Sequence, residues 1–246
     1  LGMGLPVTAA YIVLATLSAP ALYNLIADAQ LIGLIAGGMQ LPDTAAAMVM
    51  LAAPDRVGLL GQPMSTADAA ALVDALRQID PSLVVGLYDQ VLSPAVVTGI
   101  LLSAHMIIFW LSQDSNVTPP VCLTAFAAAA IAGTPQMRTG FTAWKLAKGL
   151  YIMPLLFAYT PFLYGDWATA LGIFAFALVG LYAFAAAFQG YLETVHGWPV
   201  RVLLGIVAVA LMWPNQPSLH WGGLTAFVAI LLWDWRRARK TAIKHT

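Results

Sequence analysis

The chain has 246 residues, of which 61% are apolar and only 9% charged, with 11 bases against 11 acids and a mean hydropathy of +0.82. Soluble domains carry about 25% charged residues, so a water-soluble fold is excluded: too little charge exists to cover its surface. A bilayer accepts such a composition as an apolar exterior.

Apolar stretches recur at 5–26, 31–53, 83–111, 121–132, 150–164, 168–188, 200–213 and 221–233. Several reach the roughly 20 residues that span hydrocarbon as a helix. The stretches at 121–132 and 200–213 are shorter and read as tilted spans, half-helices or re-entrant pieces. Alternation with a period of two is absent and Ala and Leu dominate over Val, Thr and Tyr, which excludes barrel strands. The expected fold is all-α, a polytopic integral membrane protein with six to eight transmembrane or re-entrant helices, some of them broken. All eight tryptophans lie near the ends of apolar stretches or in the joints between them, the pattern of an interfacial belt.

The first element, 1–26, is apolar but interrupted by Gly2, Gly4 and Pro6 before Thr8. It opens the chain without a leader and reads as part of a longer polypeptide. Between 27 and 94 the character changes: seven aspartates, Pro42, Pro54, Pro63 and Pro81 break the apolar signal. Within it the stretch STADAAALVDALRQI predicts an amphipathic helix over 65–79, with Ser65 as N-cap and Asp68 at N3. This segment reads as an acidic, partly aqueous insertion.

Residues 95–148 hold a membrane helix, a polar break and a following helix. In SQDSNVTPPVCLT six polar residues, Ser112 to Asn116 and Thr118, run into Pro119 and Pro120. A proline pair removes two backbone donors and pushes the preceding residues out of the helical region, so carbonyls one turn upstream lose their partners. In hydrocarbon such carbonyls survive only inside protein or along a wet cavity. Freed carbonyls with neighbouring oxygens are what a sodium ion is bound by in broken transporter helices. Ser115, Asn116 and Thr118 supply side-chain oxygens there, and Asp114 is an ionisable residue at membrane depth. The plain alternative is a kinked span, which membrane helices tolerate. Cys122, the single cysteine, reads as a small buried hydrophobe.

Residues 149–235 read as the C-terminal spans and 236–246 as a basic tail. Residues 1–114 carry eight acids and two bases, 115–246 three acids and nine bases. The positive-inside rule puts Arg138, Lys145 and Lys148, and the tail from Arg236, in the cytoplasm, with 193–201 on the same side. Five bases directly after a span read as a topology anchor and not as a nucleic-acid patch. No HExxH, GxSxG or Cys/His metal spacing occurs and the four histidines are dispersed, so the expectation is a protein that is not an enzyme.

GMGLPVTAAYIVLATLSAP (2–20) and the stretch from Ala104 to Gly149 around NVTPP resemble the large membrane subunit of tripartite ATP-independent periplasmic (TRAP) transporters, of the type fused to the small membrane subunit. The resemblance implies a sodium-driven elevator transporter of the bacterial inner membrane, with sodium as coupling ion and no cofactor. It implies a periplasmic binding protein and a small membrane subunit as partners, the bilayer as surroundings, and a small carboxylate as substrate. By that likeness Gly2, Gly4, Pro6 and Thr8 belong to one broken element of the transport domain. Asp114, Ser115, Asn116, Thr118, Pro119 and Pro120 belong to its counterpart or the adjoining break. The acidic insertion departs from the family, where a short connection is expected.

Overall fold

The computed structural model describes residues 6–52, 54–214 and 216–242, and Gly2 and Gly4 lie outside them. Among the described residues the chain folds into eleven α-helices and three 3-10 turns, with no strand beyond one isolated bridge. They form two compact units, 13–108 and 1–12 with 109–246.

Among the described residues three helices are long and apolar enough to cross a membrane: α1 (Val7–Ala36), α5 (Pro94–Gln113, prolonged by a 3-10 turn to Asn116) and α9 (Trp167–Gln189). Their surfaces stay apolar outward: Leu17 is 68% and Phe174 54% exposed. In water such faces would associate; in lipid they are the ordinary exterior. The remaining apolar stretches form shorter or more diluted helices: α6 (Leu123–Ala132), α8 (Met153–Tyr159), α10 (Trp198–Met212) and α11 (Pro217–Ala242), whose last turns are basic.

In the unit 13–108, α1 continues past residue 26 without a break to Ala36, carrying Pro20 inside it. The polar run Ala27–Gln30, which reads as the start of the insertion, is therefore helix interior. Asp28 is accommodated there by Arg77 and Tyr88. The insertion itself folds as α2 (Asp43–Ala52), α3 (Thr66–Ile79) and α4 (Pro81–Val91). Ser65 caps α3 by accepting the Asp68 amide, and Ala69, Leu72, Val73 and Leu76 form its buried stripe. Asp80 closes α3 and caps α4, with Pro81 at the first helical position, where its missing N–H is harmless. The 83–111 stretch is divided in the same way, at Ser93 and Pro94, into α4 and α5.

In the other unit, α9, α10 and α11 pack around Ala183, Ala186, Leu204, Val207, Ala208, Leu211 and Phe227. Small residues let the backbones approach. A Cβ on Gly180 would stand 2.6 Å from the Met212 Cγ. The connection from α9 to α10 is clamped by Asp234 of α11, which accepts the Glu193 and Thr194 amides at 2.8 and 3.0 Å and the Thr194 hydroxyl. His196 Nε2 stands 3.1 Å from the same carboxylate, and both side chains are fully buried.

Candidate functional site

The site is built where α5 ends. Its last turn narrows into the 3-10 turn Asp114–Asn116, and the amides of Val117 and Thr118 both bond the Asp114 carbonyl, at 3.1 and 2.9 Å. A continuing helix would next pair the Ser115 and Asn116 carbonyls with the amides of 119 and 120. Both positions are proline, so those carbonyls keep no helical partner. The Pro119–Pro120 bond is cis, and the chain restarts as α6 at Leu123.

Asp114 is only 7% exposed, and neither of its carboxylate oxygens has a hydrogen-bond partner. One turn earlier, on the same face of α5, the Trp110 indole N–H is also buried without a partner, its ring edge-on to Phe157 at 6.1 Å. An unpaired buried polar group costs about 1–3 kcal/mol, more when charged. Such a carboxylate is neutralised either by keeping its proton or by a cation at the same place.

The neighbouring oxygens differ in how free they are. The Ser115 hydroxyl is buried and donates to the Ser112 carbonyl at 2.8 Å, leaving its lone pairs unused. Asn116 is half-buried and makes no side-chain hydrogen bond among the described residues. Thr118 shares a hydrogen bond with the Tyr151 hydroxyl at 3.1 Å, and that hydroxyl also accepts from the Trp144 indole at 3.2 Å. Trp144 and Tyr151 thus fix the far side of the break. Gly140 of α7 (Gln136–Leu146) packs onto it so closely that a Cβ there would stand 2.6 Å from the buried Cys122 Sγ and 3.6 Å from Pro119 Cγ.

Of the first predicted group, Pro6 stands at the start of α1, its carbonyl accepting the Ala10 amide at 2.9 Å, and Thr8 lies exposed in the first turn. Tyr11 of α1 meets Phe109 of α5 edge to face at 6.1 Å, which brings the beginning of α1 beside the end of α5. Thr8 makes no bond to Asp114. The sequence reads Trp110 and Trp144 only as members of the interfacial belt and does not single out Tyr151. The i, i+4 spacing of Trp110 and Asp114 was the one local signal, whereas Tyr151 lies 33 residues from Thr118.

Among the described residues no group of three or more His, Cys, Asp or Glu side chains converges. The donors at the break are one carboxylate, hydroxyls, an amide and carbonyls, a hard-oxygen set of the kind alkali and alkaline-earth cations take. No family model, curated protein or solved structure matches this chain.

Proposed function

We propose that this chain is the C-terminal part of a sodium-coupled secondary transporter, multi-pass in the bacterial inner membrane, that imports a small organic acid. A periplasmic binding protein delivers the acid, and transport proceeds by elevator-type alternating access without covalent chemistry. The observation that carries the reading is Asp114, a carboxylate closed off from solvent with both oxygens unpartnered, at a helix break in an apolar chain. A dehydrated cation would complete it, drawing further oxygens from Ser115, Asn116 and the carbonyls released by Pro119 and Pro120. The resemblance of GMGLP and NVTPP to TRAP membrane subunits supports the substrate class and the partner.

Coupling follows from this arrangement. Without the cation, an ionised Asp114 opposes closure of the site; with it, the charge is balanced and the closed, movable state is favoured, so cation and substrate binding reinforce one another. Uptake by the full-length transporter with its binding protein, in sodium and in choline, tests the reading. Asp114→Asn and Asn116→Ala should each lower sodium-dependent uptake by tenfold or more, on the order of one lost charge-assisted bond. Uptake and sodium dependence unchanged in both variants would instead favour a scaffolding membrane subunit.

A further inference from the structure

The C-terminal turn of α9 is capped from α10. Arg201 donates Nε to the Ala187 carbonyl at 2.8 Å and Nη2 to the Phe188 carbonyl at 2.7 Å. The same phenylalanine is met by a second cation: Lys148 Nζ lies 4.6 Å from the centre of its ring and 4.9 Å from that of Trp144. Among the described residues neither Lys148 nor Arg201 has a carboxylate within ion-pair distance. The carbonyl end of α9 offsets about half a charge, so the pair around Phe188 keeps a clear positive excess.

Arg201 and Phe188 also line an open groove of about 350 Å³ between α9 and α10, together with Ala187, Trp198, Val202 and Gly205. Trp198 is 75% and Val202 50% exposed at its edge, and nothing lies within 4 Å of where a Gly205 Cβ would stand. Cations on and beside its wall and an uncovered apolar channel are the two halves of an amphiphile's complement.

We infer that this is a binding site for one anionic phospholipid, its phosphate between Lys148 and Arg201 and an acyl chain along the groove over Gly205. The apolar channel has no use for a free anion, and a zwitterionic lipid brings its own ammonium to a place already positive. Charge placement agrees: Lys148 and Arg201 both fall on the side that the basic clusters assign to the cytoplasm, where anionic headgroups are attracted to basic residues between helices. Trp198 at the start of α10 sits as interfacial tryptophans do.

Native mass spectrometry of the purified full chain, exchanged into mixed phosphatidylglycerol and phosphatidylcholine and then stripped with detergent, reads the occupancy. One phosphatidylglycerol should be retained in preference to phosphatidylcholine by about fivefold or more, the effect of one basic residue at an anionic headgroup. Lys148→Gln should remove that preference. Gly205→Phe, at a position where an added Cβ meets nothing within 4 Å, fills the groove and should remove retention while leaving the thermal midpoint unchanged or higher, since glycine is a poor helix residue. Arg201 is left in place because it caps α9. Equal retention of the two lipids, retention unaffected by both substitutions, or displacement by millimolar inorganic phosphate would each overturn the assignment.

Discussion

Arg77 holds Asp28 through one nitrogen, its Nη2 lying 2.6 Å from both carboxylate oxygens of a residue 49 positions earlier. Its Nη1 reaches Asp74 at 3.0 Å, and the Tyr88 hydroxyl donates to Asp28 Oδ1 at 2.7 Å. Burial, and then the neighbouring Asp28, push the Tyr88 phenol far above its usual value, so it stays a donor. The network ties α1, α3 and α4 together and makes a carboxylate tolerable inside a helix that is otherwise apolar.

The two sides of this pair are unequal. Arg77 is 38% exposed and keeps Asp74 and water if Asp28 is lost; Asp28 is 18% exposed and keeps only Tyr88 if Arg77 is lost. Arg77→Ala should therefore cost about 2 kcal/mol and Asp28→Asn about 1, between the values for exposed and buried pairs. The double variant should cost less than the sum. Equilibrium unfolding in detergent measures all three; equal losses would mean the carboxylate is not the dependent partner.

The same contact explains where the sequence could be read and where it could not. Of the insertion's helices α3 was legible because its signal is local, Ser65 three residues before Asp68, whereas Pro81 reads only as a break and is found starting α4 with Asp80 as its cap. The continuity of α1 through Asp28 was not legible, since the residue that neutralises Asp28 lies two helices later. At the site, Asp114 and the proline pair were legible as a charge and a break within a few residues. Tyr151, which occupies Thr118, was not, because its role exists only once α7 has folded back. Thr118 reads as a ligand and is found already bonded.

Gly140 gives a packing test beside the break. A methyl group there would overlap the Cys122 Sγ, which is completely buried and cannot swing away to solvent. Gly140→Ala should destabilise by about 1–3 kcal/mol, as overpacking does. Cys122→Ala removes the obstructing sulfur, so the double variant should recover most of the loss. A Gly140→Ala protein as stable as wild type would mean that α6 and α7 can separate freely at this point.

Acid sensitivity has a local source in the insertion. The Ser82 backbone N–H, 2.8 Å away, and then its side chain, hold the exposed Asp80 carboxyl below its ordinary value. A depressed folded value means that the cap contributes fully above the unfolded value of about 3.9 and is lost as pH falls through the lower folded one. Asp80→Asn, which still accepts the amide but does not titrate, should flatten stability against pH below about 4 relative to wild type. Parallel acid limbs in the two proteins would show that Asp80 does not contribute to the dependence.

Asp114 makes the sharpest case because stability and function pull in opposite directions there. In choline the unpartnered carboxylate is a burden, so Asp114→Asn should be as stable as wild type or better, by about 1–3 kcal/mol. In sodium the gap should close, and reverse where the variant's advantage in choline is below about 2.7 kcal/mol. A bound cation at 100 times its dissociation constant stabilises the wild type by about 2.7 kcal/mol, which for a chain of this size raises the thermal midpoint by roughly 5–10 °C. The variant, lacking the charge, should gain nothing from sodium. Thermal denaturation of both proteins in the two salts at equal ionic strength therefore gives four midpoints, and a gain in sodium confined to the wild type identifies the site. A wild-type midpoint indifferent to sodium, or a variant already weakened in choline, would mean that the carboxylate serves the fold and not an ion.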